Sequence, residues 1–385
     1  MRTLFVCWAW PSHLYPMVPL AGAARAAGHE VLVACPPSLL PTALRTGLPA
    51  VAVGGDVELG PTVQRVIDRA RSGDRARRPR PPGQKPPTPL DFFATTAEAM
   101  ADGLLETCRR WRPDLIVHDA TTYAAPAVGA ALGIPTARHL WGVDFTHRFR
   151  DFEPEAFAAL HRRLGVEGLA LSGDTPTLDP CPPGLQVPVD YRPHRLRHLP
   201  YNGSGRFAHD LPARSPRPRL CVTWGTTSSS LDGADPVLTE VLRAAMDLDA
   251  DVVFATTGRD SVPAELPPHW HTAVMQPLHL LLPHCDAVVS PGGSGTVMTA
   301  VTAGLPQVCV PILPDQEVTA EQLVASGAGL RVGVREAGRE SLYEALRAVL
   351  HDPGHAAAAR GLRDEALAQP TPVQTVRVLE ELAGV

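Results

Sequence analysis

The sequence holds a single lysine, Lys85, among 35 basic residues. That bias has no folding rationale and matches G+C-rich coding. No CxxC pair occurs among the seven cysteines, Cys7, Cys35, Cys108, Cys181, Cys221, Cys285 and Cys309. Their odd count and even spread argue against a disulfide framework or a zinc site and for buried free thiols in a reducing compartment. Long unbroken apolar runs are missing as well. Thr3–Ala24 and Ala287–Pro314 carry no Asp, Glu, Lys or Arg, but each is interrupted. The first imitates a signal peptide after Met1-Arg2, yet Pro11, His13, Pro16 and Pro19 leave only about seven continuously apolar residues, at the short limit of such a segment. The second contains Gly292, Gly293, Gly295, Gly304, Pro306 and Pro311, which suit a spanning helix poorly. A net charge of −5 supplies no global basic field for nucleic acid or anionic membrane. These absences lead to the expectation of a cytoplasmic soluble protein with neither nucleic acid nor membrane as partner.

What is present is a chain of 385 residues, 44% apolar and 19% charged, which excludes wholesale disorder and predicts two or three domains at roughly 150 residues each. Short β-rich apolar runs alternate with Ala/Leu/Arg-rich helical stretches. Thr3–Ala9, His29–Cys35, Pro49–Val53, Asp114–His118 and Ile134–Arg138 read as strands, with helices over about Pro16–Ala27 and Ala124–Leu132. The alternation restarts after a linker-like stretch, Leu199–Pro218, with strands at Arg219–Trp224, Asp251–Thr256, Ala287–Ser290 and Gln307–Ile312. Repeated strand–helix–strand units imply parallel sheets covered on both faces. The expected fold is therefore α/β, with two lobes of similar size facing a cleft. A terminal helix near Thr371–Leu382 can pack on either lobe. Arg69–Pro89 is an odd insertion with seven basic residues and a run of prolines. It reads either as an arm for an acidic partner or as a solvated loop, and the overall negative charge favours the loop.

In open parallel sheets, ligands sit beyond the carboxyl ends of the strands. His13 falls there in WPSHLYP, and Asp119 directly follows the DLIVH strand. If those strands are neighbours, a carboxylate accepting the Nδ1 proton of His13 would fix its tautomer and raise its basicity. The competing reading makes His13 a cap or loop contact and Asp119 an ordinary N-cap. In the second half, Pro291-Gly292-Gly293-Ser294-Gly295-Thr296 connects a strand to a helix, where backbone N–H groups and the helix dipole favour an anion. Glycine there equally serves tight packing of helix on sheet. Neither a lysine-bearing phosphate loop nor a GxGxxG fingerprint is found. A second turn, Trp224-Gly225-Thr226-Thr227, adds donors at the same edge, which makes a diphosphate site a candidate. Asp315-Gln316, after another strand, can either bond vicinal hydroxyls or, through Asp315, cap the next helix.

Four motifs in order, SHLYPMVPLAGAARAAGHEV, PDLIVHD with ALGIPTARHLWGVD, PLHLLLPHCDAVVSPGGSGT, and GLPQVCVPILPDQEVTAEQL, resemble the inverting nucleotide-sugar glycosyltransferases with two facing Rossmann-like lobes (GT-B). The similarity covers nearly the whole chain and is strongest to the bacterial natural-product, antibiotic-type branch. It implies an acceptor-binding lobe over residues 1–205, a linker over 206–218, a nucleotide-sugar lobe over 219–370 and a terminal helix over 371–385, with return to the first lobe as one option. It further implies His13 as general base and Asp119 as its orienting partner. The donor would lie on Gly225, Thr226, Met275, Gln276, Gly292, Gly293, Ser294, Gly295, Thr296, Asp315 and Gln316. Trp10, Trp141 and Asp144 would face the acceptor, with Trp8, Phe92, Phe93 and Phe145 near the same loops. The expected substrates are a nucleotide-diphosphate sugar, of thymidine type with a deoxysugar, and a small aglycone. Neither a metal nor a further cofactor is expected, and the resemblance leaves room for a homodimer.

Three positions depart from the family's pattern. Proline stands at position 291 where histidine is usual, Met275 where tryptophan often stacks on the base, and Thr319 where asparagine is usual. The first removes a charge-assisted hydrogen bond of about 1.5–3 kcal/mol unless another group, such as His279 or His284, compensates. That departure supports a rival reading, a non-catalytic homologue that stabilises a partner transferase. A nucleotide-sugar epimerase on the same fold would need carboxylate and histidine groups around the sugar ring that the sequence does not display.

Overall fold

The computed structural model describes residues 1–8, 10–58, 60–72, 89–169, 175–206, 211–225, 235–256, 258, 266–267 and 270–385. Two sheets organise the chain, and every strand pairing among the described residues is parallel. The first has seven strands in the order β3-β2-β1-β4-β5-β6-β7: β1 Arg2–Val6, β2 Glu30–Cys35, β3 Ala50–Ala52, β4 Leu115–Asp119, β5 Thr136–His139, β6 Thr177–Asp179 and β7 His194–Arg195. The second has six in the order β10-β9-β8-β11-β12-β13: β8 Arg219–Thr223, β9 Asp251–Thr256, β10 His271–Val274, β11 Ala287–Ser290, β12 Gln307–Cys309 and β13 Gly329–Arg331. Each sheet therefore reverses its winding once, between β1 and β4 and between β8 and β11, and such a switch point opens a crevice beyond the strand ends.

Alternation along the strands places side chains on both faces. Leu4 and Val6 of β1 and Ile116 of β4 enter one apolar cluster, while Phe5, Leu115 and Val117 enter the cluster on the opposite face. The second sheet repeats the pattern, with Leu220, Val222 and Val289 on one side and Cys221 and Val288 on the other. Each fully buried side chain of this size stabilises the fold by about 1.5–3 kcal/mol, which favours a sheet covered twice over one with a wet face. All seven cysteines are free and buried in these layers.

Proline explains most differences from the expected boundaries. The single helix expected over Pro16–Ala27 is a short helix Pro11–Leu14, a 3-10 turn Tyr15–Met17 and a helix Val18–Ala26, because Pro16 and Pro19 donate no N–H and fit only first turns. Strand β12 stops at Cys309, two residues before Pro311. Strand β1 stops at Val6, and Asp119 is the last residue of β4 rather than the residue after it. Strands β6, β7, β10 and β13 were not expected; at two to four residues each they carry no readable alternation. The final helix, Pro372–Ala383, starts from a Thr371 cap and buries Val376 and Leu379 with Leu20 and Phe5 of the first lobe. His29 Nε2 lies 2.9 Å from Glu380 of that helix, a tie between the two ends of the chain. Among the described residues, no helix is long and apolar enough to cross a membrane.

Candidate active site

The two switch points face one another. At the first, β1 and β4 are neighbours with Val6 opposite His118, so the loop after β1 and the end of β4 share one sheet edge. His13 Nδ1 lies 3.2 Å from Asp119 Oδ1. The pair is nearly dry, with side-chain exposures of 11% and 1%. Asp119 also accepts from the Thr121 N–H at 3.0 Å and the Thr121 hydroxyl at 2.8 Å, and from the Thr122 hydroxyl. Burial alone raises the pKa of Asp119. The hydrogen bond and charge of His13, with the Thr122 hydroxyl and Thr121 N–H, outweigh it and hold the carboxyl below its usual range. The Thr121-Thr122 pair is a part of the site that sequence reading missed. Its signal was the hydroxyl doublet directly after the strand-ending aspartate, short side chains placed to bond a carboxylate two or three residues back. With Nδ1 committed to Asp119, His13 Nε2 has no hydrogen-bond partner among the described residues and is the nitrogen available to a substrate proton.

Indole rings enclose the histidine. Trp141 is 4.0 Å away between ring centroids, and Trp8 and Trp10 present edges at 5.1 and 5.8 Å. Trp8 donates its Nε1 proton to the Thr121 hydroxyl, which links the aromatic wall to the carboxylate's support. Phe92 and Phe93 continue the wall against Trp8 at 5.3 and 5.8 Å. Trp10 is partly exposed, whereas Trp141 is buried with Phe145 beside it at 5.8 Å.

Asp144 is a correction. It is 2% exposed and does not face an acceptor space. Its carboxylate accepts from Arg138 Nη2 at 2.7 Å, the Thr146 hydroxyl at 2.6 Å and the Tyr191 hydroxyl at 2.6 Å. Burial pushes its pKa up, and Arg138 with the two hydroxyls pulls it below the usual range. All its acceptor capacity is used inside the lobe, where an unpaired charge would be costly.

At the second switch point, β11 leads through Pro291 into the helix Ser294–Ala303. Gly292 adopts φ +85°, and a Cβ there would stand 3.3 Å from Cys309 Cβ. Its N–H is already given to the Ser290 hydroxyl at 3.1 Å. Thr296 donates its N–H to the Gly293 carbonyl at 3.0 Å. The N–H groups of Gly293, Ser294 and Gly295 have no acceptor among the described residues, so three donors remain at the positive end of a ten-residue helix. The N–H groups open to an anion thus span less of the turn than the expected 292–296. Gly225, two residues after β8, has φ +70° at the same edge; Thr226 lies outside the described residues.

Met275 is 55% exposed in the left-handed region at φ +54°, an uncommon place for a residue with a side chain. It leaves a flexible thioether exposed just after β10. Gln276 next to it has a buried Oε1 with no hydrogen-bond partner among the described residues. Asp315 opens the helix Pro314–Ala325. Burial raises its pKa, and its own N–H, nearby His13 and the N–H of Gln316 oppose this. The cleft therefore brings His13 of one lobe and Asp315 of the other into a common field. The Oε1 of Gln316 accepts from the N–H groups of Ile312 and Leu313 at 2.9 and 3.0 Å, so its carbonyl caps the helix and only its amide NH2 is left for a ligand. Thr319 is turned inward and bonds the Asp315 carbonyl at 2.9 Å. His279 is tied to Asn202 at 2.9 Å, and Asn202 also bonds Thr299 at 3.1 Å. His284 is exposed. Among the described residues no three His, Cys, Asp or Glu side chains gather as around a metal ion.

A histidine–aspartate pair at one switch point, facing an open helix terminus at the other across two doubly wound lobes, defines a glycosyltransferase of the GT-B class. The glycosyltransferase VinC, solved in complex with dTDP, aligns over 100% of both chains with a TM-score of 0.82 and 31% identity. The spinosyn rhamnosyltransferase SpnG complexed with thymidine diphosphate covers 99% of this chain and 100% of its own, with a TM-score of 0.83 and 32% identity. The chain belongs to the erythromycin biosynthesis protein CIII-like family of antibiotic glycosyltransferases, whose N-terminal domain matches residues 22–225 and whose C-terminal domain matches residues 239–382. Its relatives include the 3-alpha-mycarosylerythronolide B desosaminyl transferase of Saccharopolyspora erythraea, 34% identical over 100% of this chain and 99% of the relative. The tylactone mycaminosyltransferase of Streptomyces fradiae is also 34% identical, over 100% of this chain and 93% of its own.

Proposed function

We propose that this transferase moves a deoxysugar from a thymidine-diphosphate donor to a hydroxyl of a small natural-product aglycone, with inversion at the anomeric carbon and without a metal. The observation that carries the reading is the His13–Asp119 pair at 3.2 Å, with His13 Nε2 unpartnered and the three free N–H groups of Gly293, Ser294 and Gly295 on the facing lobe. In the step, the acceptor oxygen forms a bond to the anomeric carbon as the bond from that carbon to the diphosphate oxygen breaks. The acceptor's proton passes to His13 Nε2, and the resulting imidazolium is stabilised by Asp119. The leaving diphosphate collects negative charge, which the helix terminus receives without reorganisation. Met275 supplies the surface for the base, Gln276 a buried acceptor beside it, and Asp315 a carboxylate for sugar hydroxyls. SpnG has also been solved complexed with spinosyn aglycone, which supports reading the aromatic wall around Trp8, Trp10 and Trp141 as the aglycone's side of the cleft. Seven buried free thiols fit a reducing, cytoplasmic setting.

Calorimetric titration with thymidine diphosphate and uridine diphosphate, wild type beside Gly295→Asp, tests the donor half. A Cβ at Gly295 meets nothing within 4 Å, so the added carboxylate leaves the turn intact and acts by repelling the diphosphate. Micromolar binding of thymidine diphosphate that the variant loses supports the reading. Binding of neither nucleotide by the wild type would show that Pro291 has cost the turn its grip, and would favour a helper that stabilises another transferase.

A further inference from the structure

Two consecutive residues stand where the lobes approach each other beside the chemistry. Trp141 lies 4.0 Å from His13 between ring centroids and is 6% exposed. Gly142 faces the first turn of the helix Ser294–Ala303 in the other lobe. A Cβ at Gly142 would stand 3.2 Å from Ser294 Cβ, 3.4 Å from Ser294 Oγ and 3.4 Å from Met298 Cγ. Gly142 has no positive φ, so the limit on side-chain size there comes from the approach of the helix and not from the local turn. Ser294 carries one of the three free N–H groups, and Met298 packs one turn further along in the same apolar cluster as Trp141. A rigid path two residues long therefore runs from the histidine's ring to the anion-binding end of the facing helix.

Resting on the reading above, we propose that Trp141 and Gly142 are positioning residues that set His13 against the donor turn, so that occupancy of the turn by a nucleoside diphosphate is felt at the His13 ring. Trp141 is thus assigned to the base rather than to the aglycone alone. Its indole packs against the imidazole at an interplanar angle of 50°, and a change in the seat of Ser294 moves the loop that carries it. Close-packed contacts transmit such shifts because they cannot compress. The groups with charge around the ring are Asp119 on β4 and Asp315 across the cleft; the rest of the enclosure is Trp8, Trp10 and the Thr121 hydroxyl.

The test needs no acceptor. The full chain is labelled with 15N-histidine, the His13 ring signals are assigned by their loss in His13→Ala, and thymidine diphosphate is added to saturation. In the wild type the His13 signals shift on binding. Gly142→Val weakens nucleotide binding by about tenfold or more, the consequence of an overpacked contact, and Gly142→Ala does so by less. Trp141→Ala removes the response at His13, and Trp141→Phe restores it, a rescue that a merely structural role would not produce. Thermal unfolding of each variant confirms that the chain is folded. Wild-type binding that leaves His13 silent overturns the proposal while the donor reading stands, as does an undiminished response in Trp141→Ala or wild-type affinity in Gly142→Val. Absence of any nucleotide binding to the wild type overturns the donor reading and the coupling with it.

Discussion

The two lobes share a strand order but equip their switch points by opposite means. In the first, the crevice is lined by side chains: His13 and Asp119 in a dry pocket, braced by two threonine hydroxyls and enclosed by indoles. In the second, it is lined by backbone: three N–H groups at the end of a helix whose entry is made of proline and glycine. A proton must be held at one atom, which demands an oriented and desolvated side chain. A diphosphate spreads charge over several oxygens, which several fixed N–H dipoles receive better than one flexible group. On the proposed reading, the contrast explains how the second lobe can serve an anion although proline stands at position 291, where the family pattern has histidine.

That contrast can be broken from either side. The largest effect is expected from His13→Ala, which should lower kcat/KM by about 10²–10⁴-fold, the usual contribution of a general base. Nucleotide binding measured by calorimetry should remain, because the proposed donor turn lies on the other lobe. Next is Asp144→Ala. It leaves Arg138 buried without its partner and should cost about 3–5 kcal/mol in denaturant unfolding. A loss of acceptor affinity with unchanged stability would instead return Asp144 to the acceptor space. Gly295→Asp should weaken thymidine diphosphate binding by at least about tenfold, the effect of placing a like charge at the helix terminus, with the unfolding midpoint nearly unmoved.

The smallest effect is a pH dependence confined to the first lobe. Asp179 is buried beside Arg195 at 2.7 Å, and burial, the dominant cause, raises its pKa to about 6 against the pull of Arg195. Its folded pKa lies above the unfolded value, so the native state keeps the proton while the unfolded chain releases it. Stability should therefore fall as pH rises from about 4 to about 6 on this group's account. Asp119 has the opposite sign: its lowered pKa contributes stability above about pH 4 that is lost as the carboxyl is protonated in stronger acid. Asp179→Asn should flatten the upper window in urea titrations and leave the acid limb in place; an unchanged profile would show that Asp179 titrates as an ordinary carboxyl.

What could be read from the residues alone was whatever local chemistry dictates. Glycines at a strand-to-helix turn, prolines in first turns, a strand ending in aspartate and the alternation of apolar runs each constrain the backbone within a few positions. They announced two parallel α/β lobes, the boundaries of β9 and β11, and the positions of His13, Asp119 and the glycine turn. The strand order decided the rest, because it alone makes β1 a neighbour of β4 and turns the loop after β1 toward Asp119. Side-chain direction was equally out of reach. Asp144 is a polar residue in a loop, and nothing in its segment shows that Tyr191, 47 positions on, would join Arg138 in claiming it. The approach of Gly142 to Ser294 joins residues some 150 positions apart and has no signature in either segment. Local backbone preference is written in neighbouring residues, whereas which buried polar group meets which partner depends on how two folded lobes close on each other.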